Sequence, residues 1–134
     1  MNYKSIILAL SCSGNEKELI KTGISMSDSF NIPLKLVHVN DPLAGQMSMM
    51  MDSGGHKYTE VELMELISSN KSNNVSSKIL TDENIPEALA SYVNKNDLLI
   101  LGHKKMNKLK EKITDSIDQN IVNQVYCHTL VVKI

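Results

Sequence analysis

Four short stretches of the chain are almost wholly apolar: Ser5-Ile6-Ile7-Leu8-Ala9-Leu10, Leu34 to Val39, Leu98-Leu99-Ile100-Leu101, and Thr129 to Ile134. Runs of this length in which apolar residues predominate predict strands that are buried on both faces. Between them, apolar residues return every three or four positions, which predicts helices with one buried face. Glu16 to Phe30 places Leu19, Ile20, Gly23, Ile24, Ser27 and Phe30 on one side, and Asn31-Ile32-Pro33 ends that helix. His56 to Ser69 does the same through Val61, Leu63 or Met64, Leu66 and Ile67. Ile85, Ala88, Leu89, Tyr92 and Val93 form a third stripe, with Asp82, Glu83 or Asn84 as its cap and Pro86 in its first turn. Ile113, Ile117, Ile121 and Val125 form a fourth. Val75 to Leu80 alternates polar with apolar residues, which suits a strand at a sheet edge.

Strands that alternate with helices in this way predict an α/β fold, a small doubly wound parallel sheet of five strands with helices on both faces and right-handed crossovers. Residues 1–134 are read as a single domain. Ligands of such sheets sit beyond the carboxyl ends of the strands. The apolar run of the fourth strand stops at Gly102 and gives way to a basic loop, His103 to Lys110, so this glycine and loop mark the expected working edge. Leu43 to Gly55 has glycines and methionines but no period, and is read as a mobile loop or a loose helical turn.

Charge narrows the partners. Fourteen basic and 15 acidic residues give a net charge of -1, which sets up no field for nucleic acid or a membrane surface. The amino-terminal apolar run is too short for a secretory signal or a membrane span, which predicts a cytoplasmic protein. Cys12 and Cys127 have no CxxC spacing and are read as idle thiols.

Leu99-Ile100-Leu101-Gly102, the loop after it, Ser116-Ile117 and the ending Val125-Tyr126-Cys127-His128-Thr129-Leu130-Val131-Val132 resemble the carboxyl-terminal half of the universal stress protein family. The resemblance implies a Rossmann-like sheet of order 3-2-1-4-5 and a homodimer closed through the last strand. In its ATP-binding members, an Asp ends strand 1, a Val ends strand 2, and a glycine motif (Gly, two residues, Gly, nine residues, Gly, then Ser or Thr) wraps the phosphates. Laid on this chain, these positions fall on Ser11, Val39, Gly102, Lys105, Asp115 and Ser116, so the resemblance implies a degenerate ATP-binding motif. If a nucleotide binds, Ser11, Val39, Gly102, Lys105 and Ser116 are the residues to hold it. Asp115 would repel a phosphate, and serves equally as a helix cap, with Thr114.

The remaining candidates each have a plainer reading. Lys104, Lys105, Lys108, Lys110 and Lys112, with Lys95 further back, could gather an anionic ligand around Gly102, or the loop lysines could form a solvated loop. Met47, Met49, Met50 and Met51 near His56 could attract copper(I), or pack adaptably against a partner. His38 is read as structural, His128 as part of the subunit contact, and His103 as a histidine at the working edge with no carboxylate placed beside it. No nucleophile elbow, HExxH motif or complete phosphate loop is present. The expectation is a non-enzymatic stress-response domain that needs no cofactor and acts through an unknown protein partner. The alternatives are an ATP or AMP sensor using the basic loop, or a copper-handling protein.

Overall fold

The structure, a computed structural model, describes residues 2–14, 16–47, 52–53, 55–67, 74–103 and 117–134. Its elements run β1 (Ser5–Ala9), α1 (Lys17–Phe30), β2 (Leu34–Asn40), β3 (Gln46–Met47), β4 (Asp52–Ser53), α2 (Glu60–Glu65), β5 (Val75–Thr81), α3 (Ile85–Tyr92), β6 (Asp97–His103), α4 (Ile117–Gln124) and β7 (His128–Lys133). The main sheet has five parallel strands in the order β5-β2-β1-β6-β7. Counting these five strands along the chain, that is the expected 3-2-1-4-5, with the weakly patterned strand β5 at an edge.

The unbroken apolar strands are explained by their two faces. Ile6, Leu8, Leu34, Leu36, Leu98 and Ile100 turn towards Leu19 and Ile20 of α1 and Leu63 of α2. Ile7, Val37, Val39, Leu99 and Leu101 turn towards Ala88 and Leu89 of α3 and Ile121 of α4. Successive side chains of a strand point to opposite faces, so a strand covered by helices on both sides has no position for water. Gly23 lets α1 approach closely, since a Cβ there would lie 3.2 Å from Leu8 Cδ2. At the start of β6, buried Asp97 accepts from Ser5 Oγ at 2.7 Å and from the Asn94 amide at 2.8 Å, which closes the turn.

Three expectations are corrected. The segment from Leu43 to Gly55, read as a loop or a loose helical turn, keeps a turn only in its first residues, where the Gln46 amide donates to the Leu43 carbonyl, and then forms a ladder: Gln46–Met47 pairs antiparallel with Asp52–Ser53. The second helix is Glu60–Glu65 and does not begin at His56. Asn40 holds the backbone of Tyr58 from both sides, its amide donating to the Tyr58 carbonyl and its oxygen accepting the Tyr58 N–H, so the helix begins only at the Thr59–Glu62 capping box. Gly102 does not end β6 either. It pairs with Val132, and His103 with Lys133, because β7 is long enough to carry the ladder on. The third helix starts where expected, with Asn84 accepting from the Glu87 amide.

Candidate functional site

A cleft of about 190 Å³ opens at the carboxyl ends of β1, β2 and β6, between the strand ends and helices α3 and α4. It lies between the ends of β1 and β6, whose next described helices, α1 and α4, pack on opposite faces of the sheet, the switch point at which doubly wound folds take ligands. Among the residues proposed from sequence, Ser11, Val39 and Gly102 line it. Lys105 and Ser116 lie outside the described residues, as do Asp115 and the other lysines of that loop.

The turn after β1 is organised by a side chain that sequence reasoning passed over. Glu16 is only 6 % exposed, and its carboxylate accepts the Ser11 amide at 2.8 Å and the Cys12 amide at 2.7 Å. Ser11 Oγ lies a further 3.3 Å from Oε2. Cys12 takes a left-handed conformation, φ 60°, which turns successive amides towards the carboxylate. Burial, and then the charges of Glu16 and Glu62, push the Cys12 thiol up to about 12. It stays protonated at neutral pH, in keeping with an idle thiol. An acid at the start of α1, seven residues after the end of β1, was the available signal for Glu16.

His38 is structural, as expected, and buried. Its Nδ1–H donates to the Leu10 carbonyl at 2.7 Å, because a carbonyl can only accept, and this leaves Nε2 as an acceptor in the neutral ring. The His38 ring stands edge-on to Tyr58 at 4.9 Å, and Tyr58 packs in the same way against His56 at 4.5 Å. The Tyr58 hydroxyl donates to the Cys12 carbonyl at 3.2 Å. Tyr58 thereby ties the segment before α2 to the ends of β1 and β2.

His103 is not without a carboxylate. Its Nδ1 lies 2.8 Å from Asp118 Oδ2 in the first turn of α4, and Asp118 lines the cleft. The signal was an acid two residues after Ser116, at a helix start facing the same edge. Gly102, for its part, is fixed by packing: a Cβ there would stand 2.9 Å from Ile134 Cδ1 and 3.1 Å from Leu19 Cδ2.

Of the methionine cluster, only Met47 falls within the described residues. Among those residues no group of three or more His, Cys, Asp or Glu could hold a metal ion. His128 Nδ1 is hydrogen-bonded with the Tyr3 hydroxyl, 3.0 Å away. No described helix is long and apolar enough to cross a membrane.

A sequence model of the Universal stress protein family matches residues 2–133. No curated protein matches the chain. The solved structures similar to it include a universal stress protein in complex with cAMP, at TM-score 0.74 and 13 % identity, covering 98 % of each chain. A universal stress protein from Archaeoglobus fulgidus aligns at TM-score 0.70 and 15 % identity, over 99 % of this chain and 96 % of that one. One from Archaeoglobus fulgidus in complex with dAMP aligns at TM-score 0.66 and 13 % identity, over 99 % and 100 %.

Proposed function

Since the chain belongs to the universal stress protein family, we propose that it is a non-enzymatic stress-response module, cytoplasmic and homodimeric, that does not hold ATP in the manner of the family's nucleotide-binding members. The observation that carries this reading is Glu16, whose carboxylate is seated on the Ser11 and Cys12 amides. Paired amides of this kind are what an anionic ligand would use, and here an internal anion has them. Asp118 puts a second carboxylate on the cleft, where it opposes a polyphosphate. The motif glycine that is kept, Gly102, is accounted for by its contacts with Leu19 and Ile134.

The non-enzymatic part rests on the described residues of the cleft, none of which offers a free nucleophile. His103 and Asp118 have the spacing of a base and its orienting acid. Ser11 is the one hydroxyl among the described cleft-lining residues, and its oxygen is engaged with Ser13 and Glu16 rather than with His103.

A second reading is favoured by two of the similar structures, which are complexes with cAMP and dAMP. It makes this chain an adenine-nucleotide sensor in which Lys105 and Ser116 hold the phosphates.

Thermal unfolding with and without millimolar ATP and magnesium, at low and high salt, decides between the two. A ligand at about a hundred times its dissociation constant adds roughly 2.7 kcal/mol of stability, several degrees for a domain of this size. The melting temperature is expected to stay unchanged at both salts. A rise at low salt that shrinks at high salt overturns the proposal in favour of the sensor.

A further inference from the structure

The described polar groups of the cleft are mostly hydrogen-bond acceptors. Glu16 and Asp118 are carboxylates, and His38 gives its Nδ1 proton to the Leu10 carbonyl rather than to the cleft. No lysine is among the described lining residues. The rest of the wall is chiefly aliphatic, with Val37, Val39, Leu89, Leu101 and Ile121. A cleft of about 190 Å³ is smaller than the roughly 300–1,000 Å³ of drug-sized sites, so it suits one ring with a short polar head.

Glu16 has acceptor capacity to spare. A carboxylate offers about four lone-pair sites, and the described residues approach it with two short amide bonds and one longer hydroxyl contact. Those amides also fix its orientation, so a ligand would meet it preorganised, without the cost of ordering a mobile side chain. A buried, oriented negative charge beside an apolar wall attracts a cation bearing N–H donors and repels an anion of the same shape.

We infer that the cleft is a binding site for a small planar molecule with an apolar ring and a cationic or neutral N–H donor head, such as an aryl amidine or a heterocyclic amine, which sets its donors on Glu16. Matched anions are disfavoured by the same carboxylates. The inference rests on reading the cleft as the ligand site, but does not depend on the outcome with ATP.

Benzamidine, benzamide and benzoate share one ring and differ in the charge of the head, so they are the probes. Titrated into the ¹⁵N-labelled full chain and followed by NMR, benzamidine should bind best, benzamide less well, and benzoate at least about tenfold more weakly than benzamidine. Benzamidine should shift the Ser11 and Cys12 amides together with Val39 and Ile121. Glu16→Gln keeps the shape of the side chain but removes its charge. It should bring benzamidine to within about threefold of benzamide.

The spectrum of that variant without probe reports whether the turn still folds. If it does not, Asp118→Asn provides a second charge removal in the same cleft, and should also narrow the difference between benzamidine and benzoate. Benzoate binding as tightly as benzamidine overturns the inference, and so do shifts confined to residues away from the cleft, or no binding by any probe at tens of millimolar. A melting rise with ATP while the probe order holds would sink the proposed function and leave this inference standing. A reversed or flat probe order with no ATP effect does the opposite.

Discussion

A Cβ added at position 102 would sit 2.9 Å from the end of Ile134 and 3.1 Å from the end of Leu19. Residue 102 is in the β6–β7 ladder, so an alanine there meets crowding rather than backbone strain. Both atoms it meets are side-chain ends that can swing aside. Gly102→Ala should therefore cost about 1 kcal/mol, at the low end for overpacking, and lower the melting temperature by roughly 2–4 °C. Thermal unfolding checks this, and an unchanged or raised melting temperature would mean that the glycine is not held by packing. The glycine itself was plain in the sequence, but its reason was not. A phosphate loop and a crowded strand both ask for glycine, and only the position of Ile134, thirty-two residues on, separates the two.

Among the elements, α2 carries a charge arrangement that can be titrated. Glu62 closes the capping box with Thr59 and also lies 2.8 Å from His56 Nε2. The hydrogen bond from His56 is the first cause holding the Glu62 carboxyl below its ordinary value, with the His56 charge and Thr59 helping against a smaller opposing effect of burial. A carboxyl whose pKa is lower folded than unfolded contributes stability that is present above the unfolded pKa and is lost as pH falls through the folded one. In His56→Ala the Glu62 pKa should rise towards its ordinary value, and this acid-side loss should shrink. Carboxyl-carbon NMR titration of both proteins measures it, and an identical Glu62 titration in the two would show that the His56 contact is unpopulated in solution.

The same element marks where the sequence stops being legible. The strands β1, β2 and β6 and the helices α1 and α3 could be read because their signal is local, an apolar run or a three-to-four repeat. The start of α2 could not, because it is set by Asn40 gripping Tyr58 from 18 residues away. The site has the same character. His38 meets Leu10 across 28 positions, Tyr58 meets Cys12 across 46, and His103 meets Asp118 across 15. Ser11, Val39 and Gly102 could be placed at the cleft because the family resemblance supplied both the motif positions and the strand order that brings those strand ends together. Glu16 is close in sequence to the amides it binds, yet a helix-start acid reads as a dipole partner until the left-handed turn at Cys12 is seen.

At the scale of the whole molecule, the two edges of the sheet are unlike. Strand β5 shows Ser76 and Lys78 to solvent, and a lysine on an edge strand discourages pairing with another chain. Strand β7 leaves Val131 44 % exposed, and Tyr126 just before it is 93 % exposed. An apolar edge with unpaired backbone groups is a template for a further strand, and a two-fold axis lets the same strand of a second copy supply it. A homodimer paired through β7 should therefore form, with light scattering after size exclusion giving twice the 14.9 kDa of the chain. Val131→Lys places on β7 the kind of charge that β5 already carries, and does so at an exposed position where the fold should tolerate it. The variant should be a monomer with an unchanged circular dichroism spectrum. A wild-type monomer at micromolar concentration would remove the dimer, and a Val131→Lys dimer as stable as the wild type would move the interface away from β7, since like charges brought together across paired strands destabilise them.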